Sequence, residues 1–190
     1  MGGILVLGGV RSGKSRLAES LASRHPRVTY IAPGPVPDPA TDAEWAARVD
    51  EHRRRRPSTW TTVETGDVPA AIRAADAPCV LVDCLGTWVT RIVDDAGAWD
   101  VRERAEAELA RAAADLASAV RASPASVVLV SNEVGWGVVP GHPSGRLFRD
   151  SLGRLNQHVA QACDHVLLVV AGRVLDLSAA PTVDSFGIGS

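Results

Sequence analysis

The chain has 190 residues, 46% of them apolar and 22% charged, which suits one domain with a sizeable core and leaves little room for two. Its 20 basic and 22 acidic side chains nearly cancel, so no global field draws it to nucleic acid or to a membrane surface. Cys79, Cys84 and Cys163 show no metal-ligand spacing and are odd in number, no apolar run approaches the roughly 20 residues of a membrane span, and Met1-Gly2-Gly3-Ile4 lacks the charged start of a signal peptide; a soluble cytoplasmic protein is expected.

Residues 4–7 form a short apolar run ending at glycine, the pattern of a buried strand. Residues 15–24 read as a helix, with Leu17, Ala18, Leu21 and Ala22 on one face, and residues 28–32 as a second strand. Residues 33–39 hold four prolines and predict a loop. Thr41 or Asp42 can cap a helix through Trp45, Val49 and His52, which ends where Arg53, Arg54, Arg55 and Arg56 meet Pro57. A helix over 68–75 and a buried strand over 79–82 follow. A long alanine-rich helix from about 100 to 121 then precedes a strand over 126–130. Residues 135–145, rich in glycine and proline, read as a loop, and 147–163 as an amphipathic helix. Two strands, 166–170 and 174–177, turn at Ala171-Gly172-Arg173, and one of them is expected to join antiparallel at the sheet edge. Strands alternating with helices imply a three-layer α/β sandwich on a mostly parallel sheet, a single domain over 1–178 with a loose tail over 179–190.

Gly8-Gly9-Val10-Arg11-Ser12-Gly13-Lys14-Ser15 matches G-x-x-x-x-G-K-[ST] at every fixed position, between an apolar strand and an amphipathic helix. In such a P-loop, glycines let backbone N–H groups turn inward around phosphate oxygens and the helix start adds its dipole. Lys14 would reach the β- and γ-phosphates of a nucleoside triphosphate, and Ser15 could ligate Mg²⁺. Of the 20 basic residues Lys14 is the one lysine, a compact point charge where a broad guanidinium fork would crowd the cradle. A strand ending in Asp83 has the layout of a Walker B carboxylate; Glu64 and Glu133 also follow β-prone segments, and Asp83 is mildly preferred among the three.

With no second lysine there is no Asn-Lys-x-Asp segment to read guanine, so a switch GTPase is disfavoured and a small-molecule kinase or nucleotidyltransferase remains. Four consecutive arginines beside His52 can be a solvated helix end or can grip polyphosphate. In the second reading His52 is a nucleophile near the α-phosphorus, because neutral imidazole is available near pH 7, and the arginines stabilise charge on the phosphoryl oxygens.

The ordered set of segments resembles the bifunctional adenosylcobinamide kinase/adenosylcobinamide-phosphate guanylyltransferase family of cobalamin biosynthesis over residues 4–177. It comprises the P-loop with Arg16, Tyr30-Ile31-Ala32, Ala47-Arg48-Val49 leading to His52-Arg53 and Arg56-Pro57, Trp60 and Glu64, and Val82-Asp83-Cys84-Leu85 with Thr87 and Trp88. Ser131-Asn132-Glu133-Val134-Gly135-Trp136-Gly137-Val138-Val139-Pro140, Phe148-Arg149-Asp150, Gly153-Arg154-Leu155-Asn156-Gln157 and the Val169-Val170-Ala171-Gly172 turn complete it. The resemblance implies a RecA-like P-loop NTPase fold, phosphorylation of adenosylcobinamide by ATP or GTP, and then transfer of GMP from GTP through a histidine to adenosylcobinamide phosphate. His52 matches that histidine, Glu64 and Asp83 become nucleotide or Mg²⁺ contacts, and Pro33-Gly34-Pro35 lies beside the nucleotide with only backbone groups to offer. A homotrimer is implied as well. A guanylyltransferase without the kinase half, a kinase of another small alcohol and a nucleotide-sensing module are the alternatives. Of Trp45, Trp60, Trp88, Trp99 and Trp136, most are expected to be structural and buried rather than packed on a corrin ring.

Overall fold

Short β-branched runs separated by helical periods fold into alternating layers. The computed structural model describes residues 2–35 and 40–187, apart from the side chains of Trp45, Arg48 and His52. In chain order the elements are β1 (Gly3–Gly8), α1 (Lys14–Ala22), β2 (Val28–Ala32), α2 (Ala43–Arg55), β3 (Trp60–Glu64), α3 (Val68–Ala74), β4 (Cys79–Asp83), α4 (Leu85–Asp95), α5 (Arg102–Ala122), β5 (Ser126–Asn132), α6 (Pro143–Ala160), β6 (His165–Val170) and β7 (Arg173–Asp176). The strands form one sheet in the order β3-β2-β4-β5-β1-β6-β7. All neighbours are parallel except β6 and β7, so the antiparallel pair stands at the edge as expected.

Parallel strands need crossovers, and the crossovers cover both faces. Leu5, Ile31, Val80, Val82, Val127 and Leu129 face α3, α4, α5 and α6 in the larger core. Their sequence neighbours Val6, Tyr30, Leu81, Val128 and Val130 face the other way, onto Ala18 and Ala22 of α1. The period of two along each strand therefore feeds two cores, which explains why β4 reads as continuous apolar sequence. Trp60 and Trp88 are buried, Trp99 packs at the core margin, and Trp136 is 74% exposed.

Three local features depart from the sequence reading. β3 shows in the sequence only as the β-prone residues before Glu64, because an edge strand reading Trp-Thr-Thr-Val-Glu buries Trp60 alone and carries no apolar run. α4 begins two residues after Asp83 with no glycine or proline spacer, yet buries Leu85, Trp88, Val89 and Val93, and Trp88 Nε1 donates to Gly66 O at 2.7 Å. α6 starts at Pro143 and ends at Ala160, because proline suits the first helical turn, where its missing N–H costs nothing. The β6–β7 connection is a two-residue turn with positive φ at Ala171 (49°) and Gly172 (71°), the primed geometry that a tight hairpin requires.

Candidate active site

The connection from β1 to α1 opens at the C-terminal ends of the parallel strands, where a doubly covered sheet leaves its crevice. Arg11 (φ 57°) and Gly13 (φ 101°) are left-handed, which folds the loop into a ring of backbone groups. Ser12 N donates to Gly9 O at 3.3 Å, and Lys14 Nζ reaches back to the same carbonyl at 3.2 Å. α1 has no side chain at its N-cap and no acidic residue in its first turn; apart from Lys14 N, which lies 3.4 Å from Ser12 Oγ, its leading N–H groups stay available to an anion. Two backbone bonds brace the loop from outside: Glu133 N donates to Gly8 O at 3.1 Å and Gly172 N to Ser12 O at 3.0 Å.

A cavity of about 850 Å³ opens over this loop. Val10, Arg11, Ser12, Gly13, Lys14 and Ser15 form one wall, and Gly34 and Pro35 another. Glu64 and Asp83, at the ends of β3 and β4, also face it, together with Val49, Glu51, Arg55 and Arg56 around α2. Gly8, buried at the end of β1, and Gly9, exposed, form the root of the loop and do not line the cavity, and Pro33 is buried just before Gly34. Arg53 turns aside: its Nη2 pairs with Glu64 Oε1 at 2.6 Å, and it lines a smaller adjoining cavity of about 530 Å³ with Arg56 and Trp60. Arg54 is exposed and lines neither. His52 lies in α2 between Glu51 and Arg55, both of which face the large cavity; its side chain is outside the described residues.

Arg56 stacks on Tyr30, with Cζ 3.5 Å from the ring centroid, and its Nη1 donates to Thr62 Oγ1 at 3.1 Å. Tyr30 in turn stacks on Trp60 at 6.4 Å. Burial, and then the charge of Asp83, push the Tyr30 hydroxyl well above its usual range, so it stays protonated at every physiological pH. Burial raises the Cys84 thiol as well, with Asp83 adding to it. Glu133, the third carboxylate considered, is not among the lining residues and accepts from Gly135 N at 2.8 Å.

Tyr30, Thr87, Asn132, Ala171 and Gly172 also line the cavity, and reading the sequence for charged groups had passed over them as site residues. Position was the available signal. Asn132 closes β5 and Ala171 follows β6, just as Asp83 closes β4, and strand ends of a parallel sheet converge on one crevice.

A P-loop set on a mostly parallel seven-stranded sheet, with a cavity over it, defines a P-loop NTPase-like α/β protein. The family model described as cobinamide kinase/cobinamide phosphate guanyltransferase matches residues 4–177. The chain is 42% identical over 178 residues to the bifunctional adenosylcobalamin biosynthesis protein CobU of Escherichia coli K12, covering 89% of this chain and 96% of that protein. Similarity to the protein of the same name from Salmonella typhimurium LT2 is also 42%, over 182 residues, 89% of this chain and 96% of the relative. The bifunctional adenosylcobalamin biosynthesis protein CobP of Pseudomonas aeruginosa PAO1 is 39% identical over 183 residues, 93% of this chain and 98% of the relative. The chain belongs to the cobinamide kinase/cobinamide phosphate guanyltransferase family and is an enzyme of that family.

Proposed function

We propose that this chain carries both family activities in the one cavity: it phosphorylates adenosylcobinamide with ATP or GTP, and then transfers GMP from GTP through His52 to adenosylcobinamide phosphate. The observation that carries the reading is the cavity's composition. One wall is the P-loop, and the facing wall is the helix that bears His52, with Arg55 and Arg56 turned into the space between.

In this reading the ring of backbone groups from Gly8 to Gly13, the bare start of α1 and Lys14 grip the triphosphate tail. In the kinase step the acceptor hydroxyl oxygen bonds to the γ-phosphorus while the bond to the β–γ bridging oxygen breaks; the nucleoside diphosphate leaves and the hydroxyl proton passes to solvent. In the transferase step a ring nitrogen of His52 bonds to the α-phosphorus and pyrophosphate leaves. The phosphate of the acceptor then displaces the imidazole and takes the GMP. Arg55 and Arg56 sit where they can stabilise charge on the phosphoryl oxygens, with Arg53 and Arg54 adding positive potential at longer range.

The donor set suits Mg²⁺, a hard cation that takes oxygen ligands and shares them with phosphates. Ser15 and Asp83 face the cavity and would hold it, whereas Glu64 is engaged by Arg53 at 2.6 Å and serves better as a partner of that arginine. When bound, the ion neutralises charge on the phosphate oxygens. Cytoplasmic residence and a homotrimer complete the reading and rest on the family resemblance.

The test is mass spectrometry after exposure to GTP. The native chain should gain one GMP at His52, in a linkage that acid breaks and base spares. His52→Ala should gain none while still phosphorylating cobinamide. A GMP adduct on His52→Ala would show that another residue is the nucleophile.

A further inference from the structure

β5 lies between β1, which feeds the P-loop, and β4, which ends in Asp83. The register is explicit: Asn132 pairs with Gly8 on one side, and Val130 pairs with Asp83 on the other. The tip of β5 is therefore the point of the sheet closest to both the triphosphate cradle and the Walker B position. The side chain found there is a carboxamide that lines the cavity.

Both the side chain and the backbone of Asn132 are held by neighbours. Its Oδ1 accepts from the Cys84 thiol at 3.7 Å, and Gly86 makes room for it, since a Cβ on Gly86 would stand 2.9 Å from the same oxygen. Its backbone carbonyl accepts from Asn156 Nδ2 of α6 at 3.0 Å. Asn156 Oδ1 in turn accepts from Ser131 Oγ at 2.6 Å, with Ser131 fully buried and Asn156 6% exposed. A buried polar bridge thus ties α6 to the last two residues of β5, and such bridges fix a geometry because each member left unpaired would be costly. The Asn132 NH₂ has no hydrogen-bond partner among the described residues. A donor held by its neighbours and open to the cavity is preorganised for an anionic oxygen.

We infer that Asn132 is a further catalytic residue of the kinase step, its Nδ2–H donating to a non-bridging oxygen of the γ-phosphoryl group as that group moves to the acceptor hydroxyl, and that Asn156 is its positioning residue. This rests on the bifunctional reading above. The step is the one already written: oxygen–γ-phosphorus bond made, β–γ bridge broken, hydroxyl proton to solvent. Asn132 adds a hydrogen bond where charge develops and exchanges no proton. The guanylyl step should feel it little. β5 is three strand spacings from β3, about 14 Å at the usual ~4.8 Å each, and α2 leads into β3.

The experiment measures two half-reactions on the native chain, Asn132→Ala, the isosteric Asn132→Asp, and Asn156→Ala. One is steady-state phosphorylation of cobinamide by ATP; the other is formation of the GMP adduct from GTP alone. For Asn132→Ala we expect kcat of phosphorylation to fall about 10²-fold, as for loss of one oxyanion donor, with nucleotide KM and adduct formation within about threefold. Asn132→Asp keeps the shape and the Cys84 contact but replaces the donor with a charge, so it should lose at least as much and stands in if the alanine variant does not fold. Asn156→Ala should show the same split more weakly, which a general loss of stability would not produce. Equal losses in both half-reactions, or no loss in phosphorylation, overturn the inference. A native chain that phosphorylates no cobinamide overturns the functional reading, and the inference with it.

Discussion

Gly8 and Gly9 are adjacent in the P-loop, yet their surroundings are opposite, and replacing each with alanine separates scaffold from space. A Cβ on Gly8 would stand 2.5 Å from Ser12 Oγ and 2.7 Å from Val169 O. Ser12 could rotate, although Lys14 N lies 3.4 Å from its hydroxyl. Val169 O cannot retreat, because Gly8 and Val169 are paired in the β1–β6 ladder. Forcing a methyl into such a contact costs about 1–3 kcal/mol. For a domain of this size each kcal/mol moves Tm by roughly 2–4 °C, so Gly8→Ala should melt about 2–12 °C below the native chain. The strain is relieved by moving the loop, so affinity for a non-hydrolysable GTP analogue should weaken by about tenfold, or ~1.4 kcal/mol. Gly9 has nothing within 4 Å of its Cβ position and does not adopt positive φ. Gly9→Ala should therefore hold its Tm, or gain up to about 1 kcal/mol from a stiffer unfolded chain. Differential scanning fluorimetry and titration calorimetry read both quantities. A Gly8→Ala chain with the Tm and affinity of Gly9→Ala would refute the steric argument.

Two further outcomes follow from buried groups. Burial raises the thiols of Cys79 to about 11 and Cys163 to about 12, and raises Cys84 and Tyr30 as well. The native state therefore binds these protons more tightly than the unfolded chain, whose thiols ionise near 8.5; the contribution of these groups to stability should be level from about pH 7 to pH 8 and fall as pH rises past it. Urea midpoints in reductant at pH 7, 8.5 and 10 test the sign, and a rising midpoint would contradict it. Trp88→Phe removes the 2.7 Å bond to Gly66 O inside the larger core and should cost about 1–3 kcal/mol in chemical denaturation; an unchanged midpoint would mean that water replaces the indole N–H.

Much of this fold was legible because its signals are local. The Gly8–Ser15 motif between an apolar run and a helical period marks a P-loop by sequence alone, and the Ala171-Gly172 turn marks the edge hairpin. What stayed hidden depends on partners. β3 looks polar because only one face and one neighbour claim it, so period-two alternation has nothing to report beyond Trp60. α4 follows Asp83-Cys84 without a breaker, and its helical period becomes visible only once Leu85, Trp88, Val89 and Val93 are seen to share the core. At the site, Asn132 and Tyr30 carry no charge and occur in countless unrelated settings. Their placement follows from strand order, which sequence does not state. Which of the three carboxylates reaches the site is likewise a matter of placement: Asp83 and Glu64 line the cavity and Glu133 does not, and Glu64 is paired with Arg53 there.

The two walls of the cavity are held by interactions of different strength, and this bears on how one site could serve an acceptor at the γ-phosphorus and a nucleophile at the α-phosphorus. The P-loop hangs from β1, which is paired on both sides, by β5 and by β6, and is pinned by backbone bonds from Glu133 and Gly172. Moving it means breaking ladder bonds inside a close-packed core, so it would be a fixed anchor for a triphosphate in the proposed reading. α2 is held otherwise. Ala46 is its only side chain buried below one-tenth among the described residues. Its ion pairs to other elements, Arg55 to Glu19 at 3.2 Å and Arg53 to Glu64 at 2.6 Å, involve partly exposed arginines. Such pairs contribute about 0–1 kcal/mol each and weaken with salt. Among the described residues, then, α2 is tied to its neighbours by weaker contacts than those that hold the P-loop. If His52 is the nucleophile, the economical motion brings the helix to the α-phosphorus and then withdraws it, while the phosphate tail stays where the loop holds it.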